Sequence, residues 1–169
     1  VPSVARPEEL EGIFDFILIA TKADALVQVA QAMLPFMNED SRVVSMQNGI
    51  CEEMLAGVVG EERTIGCVVG WGGTMDEPGI VEMTSGGEFI LGNWNRGIDA
   101  SLKEITGILS SIVPARSTDH ILSDLYSKLI INSCITTLGA VCGLYLGEML
   151  AKTTVRDLFI GVIREAIQV

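Results

Sequence analysis

The stretch "FDFILIATKAD", Phe14 to Asp24, decides the fold class of this 169-residue chain. It opens with a short apolar run, Phe14 to Ala20, which is typical of a strand buried on both faces of a sheet. Apolar residues at helical spacing follow from Leu26 to Leu34, and a second apolar strand follows from Arg42 to Met46. Strand, helix and strand in this order predict a βαβ unit, and therefore part of a parallel sheet.

The pattern changes twice along the rest of the chain. A helix is predicted from Glu52 to Val59, and Gly-rich, β-forming segments with turn signals then predict hairpins that are partly antiparallel. From Ile121 onward the pattern is helical, with a break near Gly143–Gly147. We therefore predict an α/β part over residues 1–119 and an all-helical part over residues 120–169, with the boundary near Asp119.

The composition argues against several classes of binding partner. The net charge of −11 argues against nucleic acid and anionic membranes, and 49% hydrophobic residues suffice for a core. Four scattered cysteines and a single histidine argue against a structural zinc site, and we expect no metal. We expect the cysteines to be reduced core residues of a cytoplasmic protein, because no signal-peptide pattern is visible.

One uncharged stretch, Leu129 to Leu146, approaches the length of a membrane span. Polar residues and glycines interrupt it, and its flanks lack a basic bias. We expect a helix buried in a protein core and no membrane partner. Both ends of the chain break off within a pattern, so we expect a piece of a longer protein whose exposed apolar edges favour self-association.

Polar residues recur at intervals of one turn along the predicted apolar helix that contains this uncharged stretch. Lys128, Asn132 and Thr136 are four residues apart and so lie on one face. In the simpler interpretation Lys128 reaches solvent while Asn132 and Thr136 bond to neighbouring backbone. In the functional interpretation these side chains line a cleft, where a partly desolvated lysine becomes a useful proton donor.

Two further polar residues follow predicted strands directly. Lys22 follows the first strand, and Asn48 with Gly49 follows the second. Asn-Gly usually marks a hairpin, but the next segment here is predicted to be a helix. Asn48 would then lie at the carboxyl end of a parallel strand, where open α/β sheets bind ligands. A plain turn at Asn48 and a solvent-exposed lysine at Lys22 are the alternatives.

In ordered combination these motifs resemble the ketopantoate reductase (2-dehydropantoate 2-reductase) family. The resemblance rests on "DFILIATKAD", "VVSMQNGI", "GCVVGWGGTMDEPGIVEMTSGGEFILG" and "LYSKLIINSCITTLGAVCGLYLGEML". It implies that residues 1–119 are the C-terminal portion of a Rossmann-type dinucleotide-binding domain. It implies that residues 120–169 begin a helical substrate-binding and dimerisation domain, and that the whole protein reduces a 2-oxo acid with NADPH (the cofactor NADP).

The resemblance also implies roles for single residues. Lys128 matches the lysine that supplies the proton, Asn132 and Asn48 match substrate-binding asparagines, and Thr136 occupies a further substrate position. Lys22 matches a cofactor-side lysine, and Asn48 would also lie beside the nicotinamide. The expected substrate is 2-dehydropantoate, in the pathway to pantothenate, and a homodimer is the expected assembly.

The chain departs from many relatives at three residues. Thr136-Thr137 stands where they have asparagine followed by proline, and Met83 replaces a common histidine. The Gly-rich phosphate fingerprint and the C-terminal segment with a substrate-binding glutamate are not in the sequence. These departures keep a second hypothesis open, in which the protein is a non-catalytic relative that senses a ligand or dimerises on the same fold.

Overall fold

The computed structural model describes residues 3–168 and contains a five-stranded mixed sheet. The strands of this sheet are β1 (Phe16–Ile19), β2 (Arg42–Ser45), β3 (Thr64–Val69), β6 (Phe89–Asn93) and β7 (Ala115–Ser117). They lie in the order β1-β2-β3-β6-β7. The first three strands are mutually parallel, β6 runs antiparallel to β3, and β7 is parallel to β6. The predicted α/β class with a mostly parallel sheet is therefore confirmed.

Helices cover both faces of the sheet. Successive residues of a strand point to opposite faces, so one strand packs against helices on both sides. Val43 of β2 packs in one cluster with the helices on the first face, and its neighbour Val44 packs in another cluster with the helix on the second face. The helices on the first face are α1 (Leu26–Met33) and α2 (Glu52–Val59), and the helix on the second face is α3 (Ala100–Leu109). Short 3₁₀ turns lie at Pro7–Glu9, Ala23–Ala25, Leu34–Phe36 and Glu61–Arg63.

Strand β1 corrects one prediction. We expected it to be buried on both faces, but Ile17 and Ile19 are buried while Leu18 is 42% exposed. The cause is the position of β1, which pairs with β2 alone and lies at the edge of the sheet over the described residues. An edge strand has a neighbour on one side, so its second face is covered less completely.

The predicted hairpin is present as a separate two-stranded sheet. Strands β4 (Gly72–Glu77) and β5 (Ile80–Ser85) pair antiparallel around Gly79, whose φ of 84° requires glycine. Almost every residue of these strands is exposed, including Met75 at 66% and Val81 at 65%. Their apolar side chains therefore contribute little to the core of the main sheet.

The chain after β7 is helical, as predicted, and the break near Gly143 is present. The helices are α4 (Ile121–Cys142), α5 (Leu146–Ala151) and α6 (Thr153–Gln168). The chain divides into two compact units between Leu125 and Tyr126, within α4. The first turns of α4 belong to the sheet-containing unit, where Ile121 and Leu125 pack with Val68. The assignment of residues 1–119 and 120–169 to two functional domains stays a prediction.

Helix α4 differs from the buried core helix that we expected. Among the described residues it alone is long and apolar enough, by length and composition, to cross a membrane, and 17% of its apolar window is buried. Leu129, Ile131 and Val141 are exposed, and so is Cys142, which we expected in the core. Burial on α4 beyond Leu125 is confined to Cys134 and Leu138. The apolar composition of α4 was therefore not sufficient to predict that its side chains are buried within this chain.

Candidate functional site

A cleft of about 410 Å³ opens at the carboxyl ends of β1 and β2. The two strands are parallel and in register, with Ile19 opposite Ser45, so the residues that follow them emerge side by side. Lys22 and Asn48, both predicted from the sequence, line this same cleft. Its lining residues are Ala20, Thr21, Lys22, Ala23, Met46, Gln47 and Asn48.

The Asn48-Gly49 pair forms a bend between a strand and a helix, not a hairpin. Gly49 has a φ of 99°, a left-handed conformation that other residues adopt only with strain. This conformation turns the chain from β2 toward the start of α2. The turn leaves Asn48 exposed at the cleft, where its amide offers both a donor and an acceptor.

The other wall of the cleft carries a positive charge among small residues. Lys22 is exposed and has extended backbone immediately before the turn at Ala23–Ala25. Ala20, Thr21 and Ala23 are small, so a ligand can approach the backbone closely. A cation beside accessible backbone suits a phosphate or a ribose, and a neighbouring amide suits a nicotinamide. These residues fit part of a dinucleotide.

A buried polar cluster beneath the cleft was missed by the sequence reasoning. Ser45 and Glu52 are fully buried, and Gln47 is 8% exposed. Ser45 Oγ donates to Gln47 Oε1 over 2.9 Å, and Glu52 Oε2 accepts from the Cys51 N–H over 2.9 Å. The signal that could have found this cluster is the run of polar residues directly after a buried strand. The side of the sheet that would bury Glu52 was not visible in the sequence.

Burial changes the ionisation of this cluster. Burial raises the pKa of Glu52, and hydrogen bonds from its own N–H, the Ser45 hydroxyl and the Cys51 N–H partly offset that rise. Burial, with Glu52 nearby, also raises the pKa of the Cys67 thiol to about 12 and raises the pKa of Cys51. Each of these shifts acts in the direction of the neutral form, as expected where water is excluded.

The remaining predicted residues lie on α4. Lys128 and Asn132 are half-buried, and burial lowers the pKa of Lys128. Thr136 is exposed, and its hydroxyl donates to the Asn132 carbonyl over 2.6 Å. That backbone bond is what the simpler interpretation expects for Thr136, whereas the lowered pKa of Lys128 suits a proton donor. The roles of Lys128, Asn132, Thr136, Asn48 and Lys22 remain predictions.

Comparison with known proteins identifies the class. A family model described as "Ketopantoate reductase PanE/ApbA" matches residues 1–96, and one described as "Ketopantoate reductase PanE/ApbA C terminal" matches residues 120–169. The first match alone covers more than half of the chain. The chain belongs to the ketopantoate reductase family, and the resemblance found in its sequence motifs is confirmed.

Individual relatives agree with this family assignment. A 2-dehydropantoate 2-reductase from Pyrococcus abyssi is 26% identical over 75% of this chain and 42% of its own. The crystal structure of a 2-dehydropantoate 2-reductase from Geobacter metallireducens is 28% identical, with a TM-score of 0.87, and the match covers 96% of this chain and 55% of the other.

A relative named for a different substrate is also similar. A D-mandelate dehydrogenase solved with NADH is 25% identical with a TM-score of 0.81, over 90% of this chain and 52% of the other. Similarity at this level therefore includes proteins named for different substrates. The chain spans about half the length of the curated relatives that it matches.

Proposed function

We propose that the protein containing this chain is an NADPH-dependent reductase of 2-oxo acids, with 2-dehydropantoate as the first candidate substrate and pantoate as its product. The observation that carries the proposal is the cleft shared by Lys22 and Asn48 at the ends of two parallel strands. Family membership supports an oxidoreductase. The relative named D-mandelate dehydrogenase leaves the particular 2-oxo acid to experiment.

Lys22 and Asn48 would hold the cofactor. The nicotinamide, when bound, supplies the hydride that reduces the ketone. The Lys22 ammonium would neutralise charge on the dinucleotide, and the Asn48 amide would fix the carboxamide or the substrate by hydrogen bonds. NADP is the expected cofactor, while the NADH-bound relative makes NADH the competing choice.

Lys128 would supply the proton. A cationic amine beside a ketone stabilises the negative charge that develops on oxygen, and then protonates that oxygen. Burial lowers the pKa of Lys128, and so brings it closer to the pH at which an acid donates readily. Asn132, one turn along the same helix, would hold the substrate, and Thr136 would contact it with a lone pair of its oxygen.

The test is to express the complete protein and follow NADPH oxidation with 2-dehydropantoate and with a panel of other 2-oxo acids, including the oxo acid related to mandelate. We expect turnover with at least one acid and a lower KM for NADPH than for NADH. Absence of turnover with every acid would remove the proposal. Turnover limited to an aromatic acid would retain the reductase and replace the substrate.

One observation favours the non-catalytic alternative. The Thr136 hydroxyl is bonded to its own helix, so this position cannot donate its proton to a substrate. Under that alternative, the complete protein would bind a dinucleotide or a 2-oxo acid with a measurable Kd but show no turnover. Calorimetry alongside the activity assay separates the two functions.

We also propose that the protein is cytoplasmic and forms a homodimer. The curated relatives from Pyrococcus abyssi and Aquifex aeolicus are named as 2-dehydropantoate 2-reductases, and such small-molecule chemistry belongs with soluble cofactor pools. Exposed apolar side chains on α4 and α6 supply surface that association would bury. Light scattering of the complete protein checks the homodimer, and cell fractionation checks the cytoplasmic location.

A further inference from the structure

The hairpin formed by β4 and β5 is attached at the edge of the sheet where the candidate cleft opens. Strands β1, β2 and β3 are mutually parallel, so their carboxyl ends lie at one edge. Ser45 at the end of β2 lies opposite Gly66, and β3 continues to Val69, about 10 Å further at the usual rise per residue. The hairpin follows Val69 after Gly70 and Trp71, and therefore begins beyond the level at which β2 ends.

The hairpin is long enough to span the cleft. Each of its strands has six residues, which extend over about 20 Å. Neighbouring strands of a sheet lie about 4.8 Å apart, so β1 is only about 10 Å from β3. Over the described residues the hairpin forms its own sheet and has no ladder with the main sheet. A hairpin that leans over this edge would therefore cover the ends of both β2 and β1.

The two faces of the hairpin differ in chemistry. Residues paired across antiparallel strands share a face, as Met75 and Val81 do, and Met83 lies on that face because it is two residues from Val81. The opposite face carries Thr74 paired with Glu82. All five side chains are exposed. The hairpin thus has one apolar face and one polar face, although both are open to solvent here.

Glycine forms the neck of the hairpin. The Gly70 N–H donates to the Glu88 carbonyl over 2.8 Å, where the ladder of β3 and β6 ends. A Cβ on Gly87 would overlap the Gly70 carbonyl, so the two strands of the neck approach more closely than other residues allow. A register shift between Gly72 and Gly73 interrupts the pairing just beyond the neck. A narrow neck with few side chains is suited to act as a pivot.

Trp71 connects the apolar face of the hairpin with the side of the sheet that lines the cleft. A Cβ on Gly73 would lie 3.1 Å from Trp71 Cζ3 and 3.5 Å from Val81 Cγ1, so the indole ring lies beside the apolar face. The Trp71 ring meets Phe89 edge-on, with the ring centroids 5.9 Å apart. Trp71 packs against the same core cluster as Met46, which lines the cleft. The apolar face therefore begins on the side of the sheet to which Met46 belongs.

We propose that the β4–β5 hairpin is a flap that closes over the cleft and places Met75, Val81 and Met83 against the ligand bound there. The occupant of the apolar face is the apolar substituent of the 2-oxo acid, a choice that rests on the proposed function. Methionine side chains adapt to substituents of different shape, and a closed flap keeps water from the hydride transfer. A two-stranded hairpin is only marginally stable by itself, so covering its apolar face also stabilises it.

Disulfide trapping measures the reach of the flap without any ligand. Thr21→Cys on the cleft wall is combined either with Met75→Cys on the apolar face or with its neighbour on the polar face, Thr74→Cys. Both pairs are made in the complete protein with Cys142→Ser, because Cys142 is exposed. After oxidation with copper phenanthroline, peptide mapping by mass spectrometry measures the yield of each disulfide. We expect the Met75→Cys pair to exceed the Thr74→Cys pair at least about fivefold, since disulfide formation requires close approach of the two side chains. Equal yields, or no disulfide in either pair, would overturn the flap.

Substitutions on the two faces test the occupant. In the complete protein, kcat/KM is compared for 2-dehydropantoate and for a 2-oxo acid whose substituent is a single methyl group. We expect Met83→Ser to lower the ratio of the two values about 10-fold, because an apolar contact with the larger substituent is lost. Met83→Leu should restore the ratio, and Glu82→Gln on the polar face is the matched control. A merely structural role of Met83 would affect both acids alike and leave the ratio unchanged.

The outcomes distinguish the flap from the proposed function. If no 2-oxo acid is reduced, the proposed function fails, while the disulfide yields still decide whether the hairpin closes over the cleft. If the yields differ as expected but Met83→Ser leaves the ratio unchanged, the apolar substituent is not the occupant of this face. If Glu82→Gln changes the ratio as much as Met83→Ser does, the assignment of the apolar face to the ligand is wrong.

Discussion

Two regions hold the predicted polar residues in different ways: helix α4, and the edge of the sheet formed by the carboxyl ends of β1 and β2. At the sheet edge, Lys22 and Asn48 are placed by the register of two buried strands, and a buried hydrogen-bonded cluster lies beneath them. On α4, Lys128, Asn132 and Thr136 are placed by the helix period alone, on a helix with few buried residues. Position at the sheet edge therefore depends on the core, while position on α4 depends on local geometry.

This difference has a consequence for substitutions. A change in the sheet-containing unit can alter stability and the cleft together, because the same strands serve both. A change on the exposed part of α4 should alter chemistry with little effect on folding. The following experiments test that separation, beginning with the largest expected effect.

Lys128→Ala tests whether a substitution on α4 alters turnover without altering the fold. In the complete protein we expect kcat to fall by about 10² to 10⁴, the usual contribution of a general acid, while circular dichroism and the melting temperature change little. Lys152→Ala is the control, since Lys152 is an exposed lysine of the same unit. Unchanged turnover in Lys128→Ala would remove Lys128 from the mechanism.

A pair of substitutions, one in the core of the sheet and one on the surface of α4, compares the losses in the free energy of unfolding. Leu91 is fully buried in the sheet, so Leu91→Ala should lower the free energy of unfolding by about 2–5 kcal/mol. Ile131 on α4 is 47% exposed, so Ile131→Ala should cost less than about 1 kcal/mol. Urea unfolding of both variants measures the difference. Equal losses would show that association or other parts of the complete protein bury Ile131.

Asn48→Ala examines the cleft without disturbing the core. Asn48 is exposed, so the melting temperature should stay close to that of the wild type. We expect kcat/KM to fall roughly 10- to 100-fold, because the amide that we propose to orient the reacting groups is lost. Gln28→Ala, an exposed amide on α1, is the control. A wild-type kcat/KM would limit Asn48 to a structural turn.

The pKa of Lys128 predicts a pH dependence. A proton donor must be charged, so kcat should decrease as pH rises through the pKa of Lys128, which burial lowers from its ordinary value. Between the lowered and ordinary pKa values the unfolded chain binds more protons, so this group's contribution to stability should increase as pH rises through that window. Profiles of kcat for the wild type and Lys128→Arg provide the check, since arginine should remove the alkaline decrease.

Thr136→Ala should have the smallest effect. The hydroxyl proton is used by the Asn132 carbonyl and the side chain is exposed, so stability should change by less than about 0.5 kcal/mol. Turnover should change by less than about threefold, the effect of one neutral hydrogen bond. Thr136→Asn adds an amide that reaches further, and a change in the preferred 2-oxo acid would show that this position contacts substrate. Activity assays with several acids measure both variants.

Local patterns predicted much of the fold. Helix α2 has the predicted bounds, Glu52 to Val59, because its apolar spacing and the following Gly60 are local signals. The strands and the hairpin were also marked by residue type and turn chemistry. The exposure of Leu18 could not be predicted, because it depends on which strands lie beside β1, and that is a property of the whole sheet.

The candidate site was predictable only in part, as the fold was. Lys22 and Asn48 were found because strand ends are visible in a sequence and parallel strands end at one edge. Glu52 was not found, since an acidic residue in the first turn of a helix is usually a solvent-exposed group that favours the helix dipole. Its burial depends on the space at Gly66 of another strand, which no local pattern reports.

The central proposal is the reduction of a 2-oxo acid with both Asn48 and Lys128 needed for turnover, and a double-mutant cycle tests it most directly. The values of kcat/KM are compared for the complete wild-type protein, Asn48→Ala, Lys128→Ala and the double variant with 2-dehydropantoate and NADPH. Groups that act on one transition state are not additive, so we predict that the double variant loses less than the sum of the two single losses. Strict additivity of the two losses would contradict the account.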